Sequence, residues 1–166
     1  SLMGPGARDV LAAVTQADVA NDAFPFGHVR EIEVAGHRVR ALRVTYVGEL
    51  GWELHVPIAG TGDVFDALME AGRPHGIRPT GYRAIESLRL EKGYRAWGSD
   101  ITPNDNPFEA GLGWAVKLKR DTDFIGRAAC MAAAGKPLQK QLACFTTSDP
   151  DVVLLGRETI LLDGEP

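Results

Sequence analysis

The sequence predicts an α+β domain, an antiparallel sheet with helices on one face, followed by the start of a second, β-rich module. Three observations predict it. Between Val29 and Val56, apolar and polar residues alternate in three neighbouring runs joined by short turn signals, the pattern of a meander with one buried face. Apolar stripes at helical spacing lie before and after those runs. From Gln141 the pattern changes again to short strand-like stretches, and the chain stops at Gly164-Glu165-Pro166, where a further strand is expected.

The elements follow in order. Pro5 opens a short helix on which Ala7, Val10, Leu11 and Val14 recur at helical spacing. A loop rich in Asp, Asn, Phe and Pro runs from Asp18 to Phe26. Val29 to Val34 sets Ile32 and Val34 against Glu31 and Glu33, Ala35-Gly36 signals a turn, and His37 to Val47 reads as a second strand. Trp52 to Val56 alternates again, with Trp52, Leu54 and Val56 on one side and Glu53 and His55 on the other.

Thr61 or Asp63 can cap the next helix, whose stripe is Val64, Ala67, Leu68 and Ala71, with Gly72 near its end. Thr80 can cap a third, with Ile85 and Leu88 inward and Gly93 suited to the position after its C-terminus. Tyr94 to Leu112 is irregular and carries Pro103 and Pro107, and a last helix is expected from Gly126 to Ala134, stopped by Gly135 and Pro137. In the tail, Leu142, Cys144 and Phe145 suggest one strand and Glu158 to Leu162 another; two strands alone are marginal, so the tail reads as an interrupted module.

Bulk properties exclude some functions. With 45% hydrophobic and 24% charged residues, the 166-residue chain has material for a core. Its net charge is −4 and its Lys and Arg are scattered, so the positive surface that displaces counterions from nucleic acid is missing. No apolar stretch has bilayer-spanning length, and the first residues lack a signal-peptide pattern. Cys130 and Cys144 form neither a metal spacing nor a disulfide framework, and His28, His37, His55 and His75 have no metal spacing, so no metal site is expected. An intracellular setting is the default. No Gly-x-Gly-x-x-Gly or Walker motif exists, hence no FAD or nucleotide site is expected in this chain.

The chemistry concentrates in Tyr46-Val47-Gly48-Glu49-Leu50-Gly51-Trp52-Glu53. If Gly48 to Gly51 form a four-residue loop, Val47 pairs with Trp52 and Tyr46 faces Glu53. Cross-strand partners on one face have Cβ atoms about 5 Å apart, so a phenol and a carboxylate would be presented together. A carboxylate accepts two parallel N–H bonds, which the 2-amino-4-oxo edge of a pterin supplies, and an aromatic neighbour adds ring contact or a hydroxyl bond. An exposed Tyr–Glu pair on an ordinary hairpin satisfies the same geometry.

The run Ala41-Leu42-Arg43-Val44-Thr45-Tyr46-Val47-Gly48-Glu49-Leu50-Gly51-Trp52-Glu53-Leu54 resembles the hairpin of the glycine-cleavage T-protein superfamily. The match continues through Ser87-Leu88-Arg89-Leu90-Glu91-Lys92-Gly93-Tyr94-Arg95-Ala96-Trp97-Gly98-Ser99-Asp100, Asn106 to Leu112 and Asp123 to Arg127, in the family's order and spacing from about Met3 to the end. The forms Gly-Glu-Leu-Gly-Trp-Glu and Arg-Ala-Trp-Gly look more like the folate domains of dimethylglycine or sarcosine dehydrogenases than like the free T protein.

The resemblance implies tetrahydrofolate as cofactor, with Tyr46 and Glu53 as its pterin contacts. It implies that residues 1–138 are the C-terminal half of a T-protein-like folate-binding domain and that 139–166 begin a truncated β-barrel domain. The family's catalytic aspartate lies in a preceding stretch that nothing here matches, so no catalytic residue is assigned and this chain alone is expected to lack turnover. FAD would belong to an upstream flavin domain of the same parent chain. The family's helix arginine aligns with Ile85, and Arg83, about 200° around the helix, does not replace it.

Three functions remain. One is capture, as methylene-tetrahydrofolate, of the one-carbon unit released when a dehydrogenase oxidises an N-methyl amine. Another is stand-alone aminomethyl or methyl transfer of the T-protein type, and the third is a non-catalytic scaffold of a flavoprotein. The compartment would be the cytoplasm, or the mitochondrial matrix in a eukaryote. Among other residues, Glu49 reads as a solvated loop tip, Arg89, Glu91 and Lys92 as solubilising helix charges, Asp100 as a loop anchor or a ligand contact, Glu109 as an anchor of the Pro107 turn, and Trp97 and Trp114 as core.

Overall fold

The computed structural model describes residues 1–156 and 158–165. Chain contacts divide it into two compact units, Ser1–Trp97 and Gly98–Pro166.

The first unit is the predicted α+β layer pair. Its four strands are β1 (Leu2–Met3), β2 (Val29–Val34), β3 (His37–Leu42) and β4 (Gly51–His55), in the order β1-β4-β3-β2 with every neighbouring pair antiparallel. Helices α1 (Ala7–Ala13) and α2 (Thr61–Gly72) join one face of this sheet in the core. Ala7, Val10, Leu11 and Val64 pack there with Ile32, Val34, Val39, Ala41 and Trp52. The opposite face carries Glu31, Arg38, Arg40, Glu53 and His55, with Arg38 bonded to Glu31.

The β2–β3 turn is set by its dipeptide. Val34 pairs with His37, leaving Ala35 and Gly36 as the two loop residues, at φ 50° and φ 79°. Positive φ at both is the type I′ requirement, which matches the right-handed twist of the strands.

Strand β1 carries no alternation to reveal it; it forms because the chain edge lies against β4. Leu2 pairs with Trp52 and Met3 with Gly51. A Cβ on Gly51 would lie 2.7 Å from Met3 Cγ and 2.8 Å from the Leu2 carbonyl oxygen, so only glycine admits this approach.

Strand β3 ends at Leu42, five residues short of the expected Val47. The amide of Val44 donates to the Leu42 carbonyl at 3.0 Å, a tight reversal that leaves the ladder. The Arg43 side chain is drawn to the Phe24 carbonyl at 2.6 Å and to Asn21 Oδ1 at 2.7 Å. Arg8 also bonds Asn21 Oδ1, at 2.7 Å, and both guanidinium groups lie over the buried Trp52 ring, at 5.5 and 5.7 Å. Loss of water and the nearby Arg8 charge lower the Arg43 pKa from its ordinary value.

Helix α3 (Tyr82–Glu91) departs from its expected apolar docking. Ile85 is half-buried, Leu88 is 40% exposed, and the residue it buries is Arg89. Neither Thr61, Asp63 nor Thr80 caps a helix: the N-cap positions are Gly60 and Gly81, without side-chain bonds. Thr61 already lies inside α2, where its hydroxyl donates to the Pro57 carbonyl at 3.3 Å. The stop at Gly93 forms as expected. With φ 65°, it donates to the Leu90 carbonyl at 2.9 Å while Tyr94 donates to that of Arg89 at 2.9 Å, a Schellman pair.

The second unit holds helix α4 (Arg127–Ala134) and loops pinned by side chains. Asn106 Oδ1 accepts from the amides of Phe108 and Glu109, and the Glu109 carboxylate accepts from the Asn106 amide at 3.1 Å. The strands expected around 142–145 and 158–162 do not form among the described residues; the end of the tail carries a Leu162–Glu165 bridge instead. Two short segments without a third partner cannot bury a face. The tail is instead fixed by Lys140 on Asp105 at 2.5 Å and by the Leu142 amide on the Glu109 carbonyl at 2.9 Å. Trp114, read as core, is 75% exposed.

Candidate functional site

The connection between β3 and β4, residues 43–50, carries the phenol singled out in the sequence. The expected four-residue hairpin is not what forms. The ladder pairs Leu42 with Glu53, Ala41 with Leu54 and Arg40 with His55, so Tyr46 belongs to the loop and is not the cross-strand partner of Glu53. The tight reversal at Leu42–Val44 is the cause, because it ends the strand before Tyr46 can enter it. No hydrogen bond or ring contact joins Tyr46 to Glu53.

The loop is nonetheless well fixed. Val47 is buried and its amide donates to Thr45 Oγ1 at 3.2 Å. Gly48, at φ 76°, lies against the Lys92 side chain, where a Cβ would collide. Glu49, expected to be a solvated tip, stands 3.5 Å from Lys92 Nζ. Tyr46 donates its hydroxyl to the Arg95 carbonyl at 3.1 Å, and its ring lies on that of Tyr94 with centroids 6.3 Å apart and planes at 30°.

Glu53 is held by the sheet. It alternates with Trp52, whose burial faces it away from the core, and its carboxylate is 3.7 Å from His55 Nε2. The expected shared face of Glu53 and His55 is therefore present. The carboxylate is half-buried, with no lysine or arginine within ion-pair distance, which leaves acceptor capacity for a donor pair.

Beneath Tyr94 is a group the sequence reading treated as solubilising. Arg89 is 5% exposed, and its guanidinium bonds Glu86 at 2.6 and 3.0 Å and the Tyr94 carbonyl at 3.0 Å. The neighbouring Glu86 carboxylate, first as a hydrogen-bond acceptor for the phenol and then by its charge, raises the Tyr82 pKa from its ordinary value. The Glu86–Arg89 spacing of three on one helix was the available sequence signal. Trp97, also read as core, is 70% exposed.

A cleft of about 450 Å³ lies elsewhere in this unit, lined by Val47, Glu49, Phe65, Leu68, Ile85 and Leu88 among others. Neither Tyr46 nor Glu53 lines it, whereas Ile85 does.

A family model for the GCVT N-terminal domain matches residues 1–120. The chain belongs to that family. It is 47% identical over 165 residues to mitochondrial sarcosine dehydrogenase of Homo sapiens, covering 99% of this chain and 18% of that protein. To mitochondrial dimethylglycine dehydrogenase of Homo sapiens it is 41% identical over 162 residues, covering 98% and 19%. The solved structure of glycine cleavage system aminomethyltransferase T from Bartonella henselae superposes with a TM-score of 0.64 at 30% identity, covering 79% of this chain and 34% of that one. The open antiparallel sheet with helices on one face is thus the T-protein fold. The chain spans about a fifth of the length of these dehydrogenase relatives.

Proposed function

We propose that this GCVT-family chain is the pterin-contacting part of a tetrahydrofolate-dependent one-carbon transfer domain. In the longer protein, that domain would capture the one-carbon unit from N-methyl amine oxidation as methylene-tetrahydrofolate. The observation that carries the reading is the half-buried Glu53 carboxylate, held on a rigid strand without a lysine or arginine partner. Such a group suits the paired N–H donors of a 2-amino-4-oxo pterin edge. Tyr46 would meet the ligand from the adjoining loop, so the two groups approach from separate elements. When bound, tetrahydrofolate supplies the amines that take up the one-carbon unit; Tyr46 and Glu53 orient it.

In this reading, residues 1–138 form the C-terminal half of the folate-binding domain and 139–166 begin a β-barrel. Oxidation belongs to a flavin domain elsewhere in the same longer chain, because no dinucleotide-binding motif occurs here. The compartment follows the relatives named mitochondrial: the matrix in a eukaryote, the cytoplasm otherwise. Among the described residues no helix is long and apolar enough to cross a membrane.

One observation favours a second reading. Ile85, half-buried where T proteins carry arginine, suits a scaffold that keeps the fold without gripping folate. Calorimetric titration of tetrahydrofolate into the longest natural form of the protein, and into its Glu53→Gln variant, decides. Loss of one charge-assisted acceptor should weaken binding by about 10-fold or more. No affinity in the unmodified protein, or equal affinity in the variant, rejects Glu53 as the pterin contact.

A further inference from the structure

We infer that Tyr46 meets its ligand as a hydrogen-bond acceptor, and that Tyr94 is the positioning residue that holds it so. The inference rests on the folate reading for the identity of the ligand, and on this chain's own geometry for everything else.

A phenol has one hydrogen to give and lone pairs to receive. The Tyr46 hydrogen is already committed, because the Arg95 carbonyl 3.1 Å away is an acceptor only. What the hydroxyl still offers is its lone-pair side, so the ligand atom opposite must carry a hydrogen. A ring or exocyclic N–H meets that condition; a carbonyl oxygen or an unprotonated ring nitrogen does not. The site therefore selects the N–H-bearing edge of a heterocycle.

The commitment lasts only while the Tyr46 ring cannot swing. Tyr94 supplies that restraint by lying on the ring, with centroids 6.3 Å apart and planes at 30°. Tyr94 is itself gripped from both sides by one residue: its amide donates to the Arg89 carbonyl at 2.9 Å, and its carbonyl accepts from Arg89 Nη1 at 3.0 Å. Arg89 is buried and bonded twice to Glu86, so the end of α3 is a fixed base. Lys92 restrains the other side of the loop through its stem on Gly48 and its charge near Glu49. The acceptor is thus aimed by a stacked ring seated on a helix terminus.

The test places 3,5-difluorotyrosine at position 46 of the full chain, at a pH where the phenol stays protonated. Fluorination makes the hydroxyl a better donor and a poorer acceptor. Tetrahydrofolate should then bind several-fold more weakly, approaching the loss of about 3- to 10-fold expected for Tyr46→Phe. Unchanged or tighter binding overturns the acceptor assignment.

For Tyr94, the phenylalanine variant should bind within about 2-fold of the unmodified protein, since only the ring is used. Tyr94→Leu should lose as much as Tyr46→Phe, and the two together no more than either alone. Additive losses, or an unaffected Tyr94→Leu, overturn the positioning role. The fluorine resonance at position 46 reads the same contact without ligand. It should shift in Tyr94→Leu and stay in Tyr94→Phe, and equal spectra overturn the stacking argument whatever binds. If the unmodified protein has no affinity for tetrahydrofolate, the folate reading and the acceptor assignment fall together. The fluorine spectra still decide the role of Tyr94.

Discussion

Replacing Glu86 by glutamine tests how α3 is held. This helix docks through Arg89, a charge that is 5% exposed, and Glu86 supplies two of its bonds, at 2.6 and 3.0 Å. Glutamine keeps the shape and one acceptor but withdraws the counter-charge. Removing one partner of a fully buried pair costs about 3–5 kcal/mol. The Glu86 side chain is 31% exposed, so water compensates part of the loss and about 2 kcal/mol is expected. For a chain of this length that is a fall in melting temperature of about 4–8 °C. The double variant Glu86→Gln/Arg89→Met, which removes both the unpaired charge and its need for a partner, should recover more than half of that. Urea denaturation followed by circular dichroism measures both. A single-variant loss below about 0.5 kcal/mol, or a double variant as unstable as the sum of the singles, would show that the pair does not hold the helix.

Two further outcomes follow from local geometry. Gly36→Ala forces a Cβ into φ 79° and should cost about 1–2 kcal/mol, whereas Ala35→Asn, at φ 50°, should raise the melting temperature, since asparagine favours that region; the reverse order in a thermal scan would refute the I′ assignment. Asp105 is held down to about 2, first by its bond from Lys140 and then by those from Thr102, so its contribution is complete above the ordinary carboxylate pKa and is lost as pH falls from there towards about 2. The protection factors of the Thr102 and Leu142 amides against hydrogen exchange, taken relative to the intrinsic rate at each pH, should therefore fall on acidification through that window, and Lys140→Met should bring the onset to higher pH. Protection factors that stay the same from pH 5 to pH 2 would contradict the latch.

The functional elements were legible unevenly, and the reasons are physical. The span of β2, its turn at Ala35-Gly36, the core stripe of α1, the Schellman stop at Gly93 and the face shared by Glu53 and His55 all came through, because each depends on residues a few positions apart. The pairing of Tyr46 with Glu53 did not. Register across β3 and β4 depends on where β3 ends, and that is decided by Arg43 reaching the Phe24 carbonyl, nineteen residues away.

The sequence by itself determined the α+β layer pair and its antiparallel strands, because periodicity and turn chemistry act over a few residues. Only the tertiary structure decided that Leu42 faces Glu53, that β1 joins the sheet edge beside Gly51, that Arg89 is an internal anchor, and that Trp97 and Trp114 are exposed. Each of those depends on which distant groups compete for a carbonyl, a counter-charge or a place in the core. That competition is settled by packing in three dimensions, which spacing along the chain does not encode.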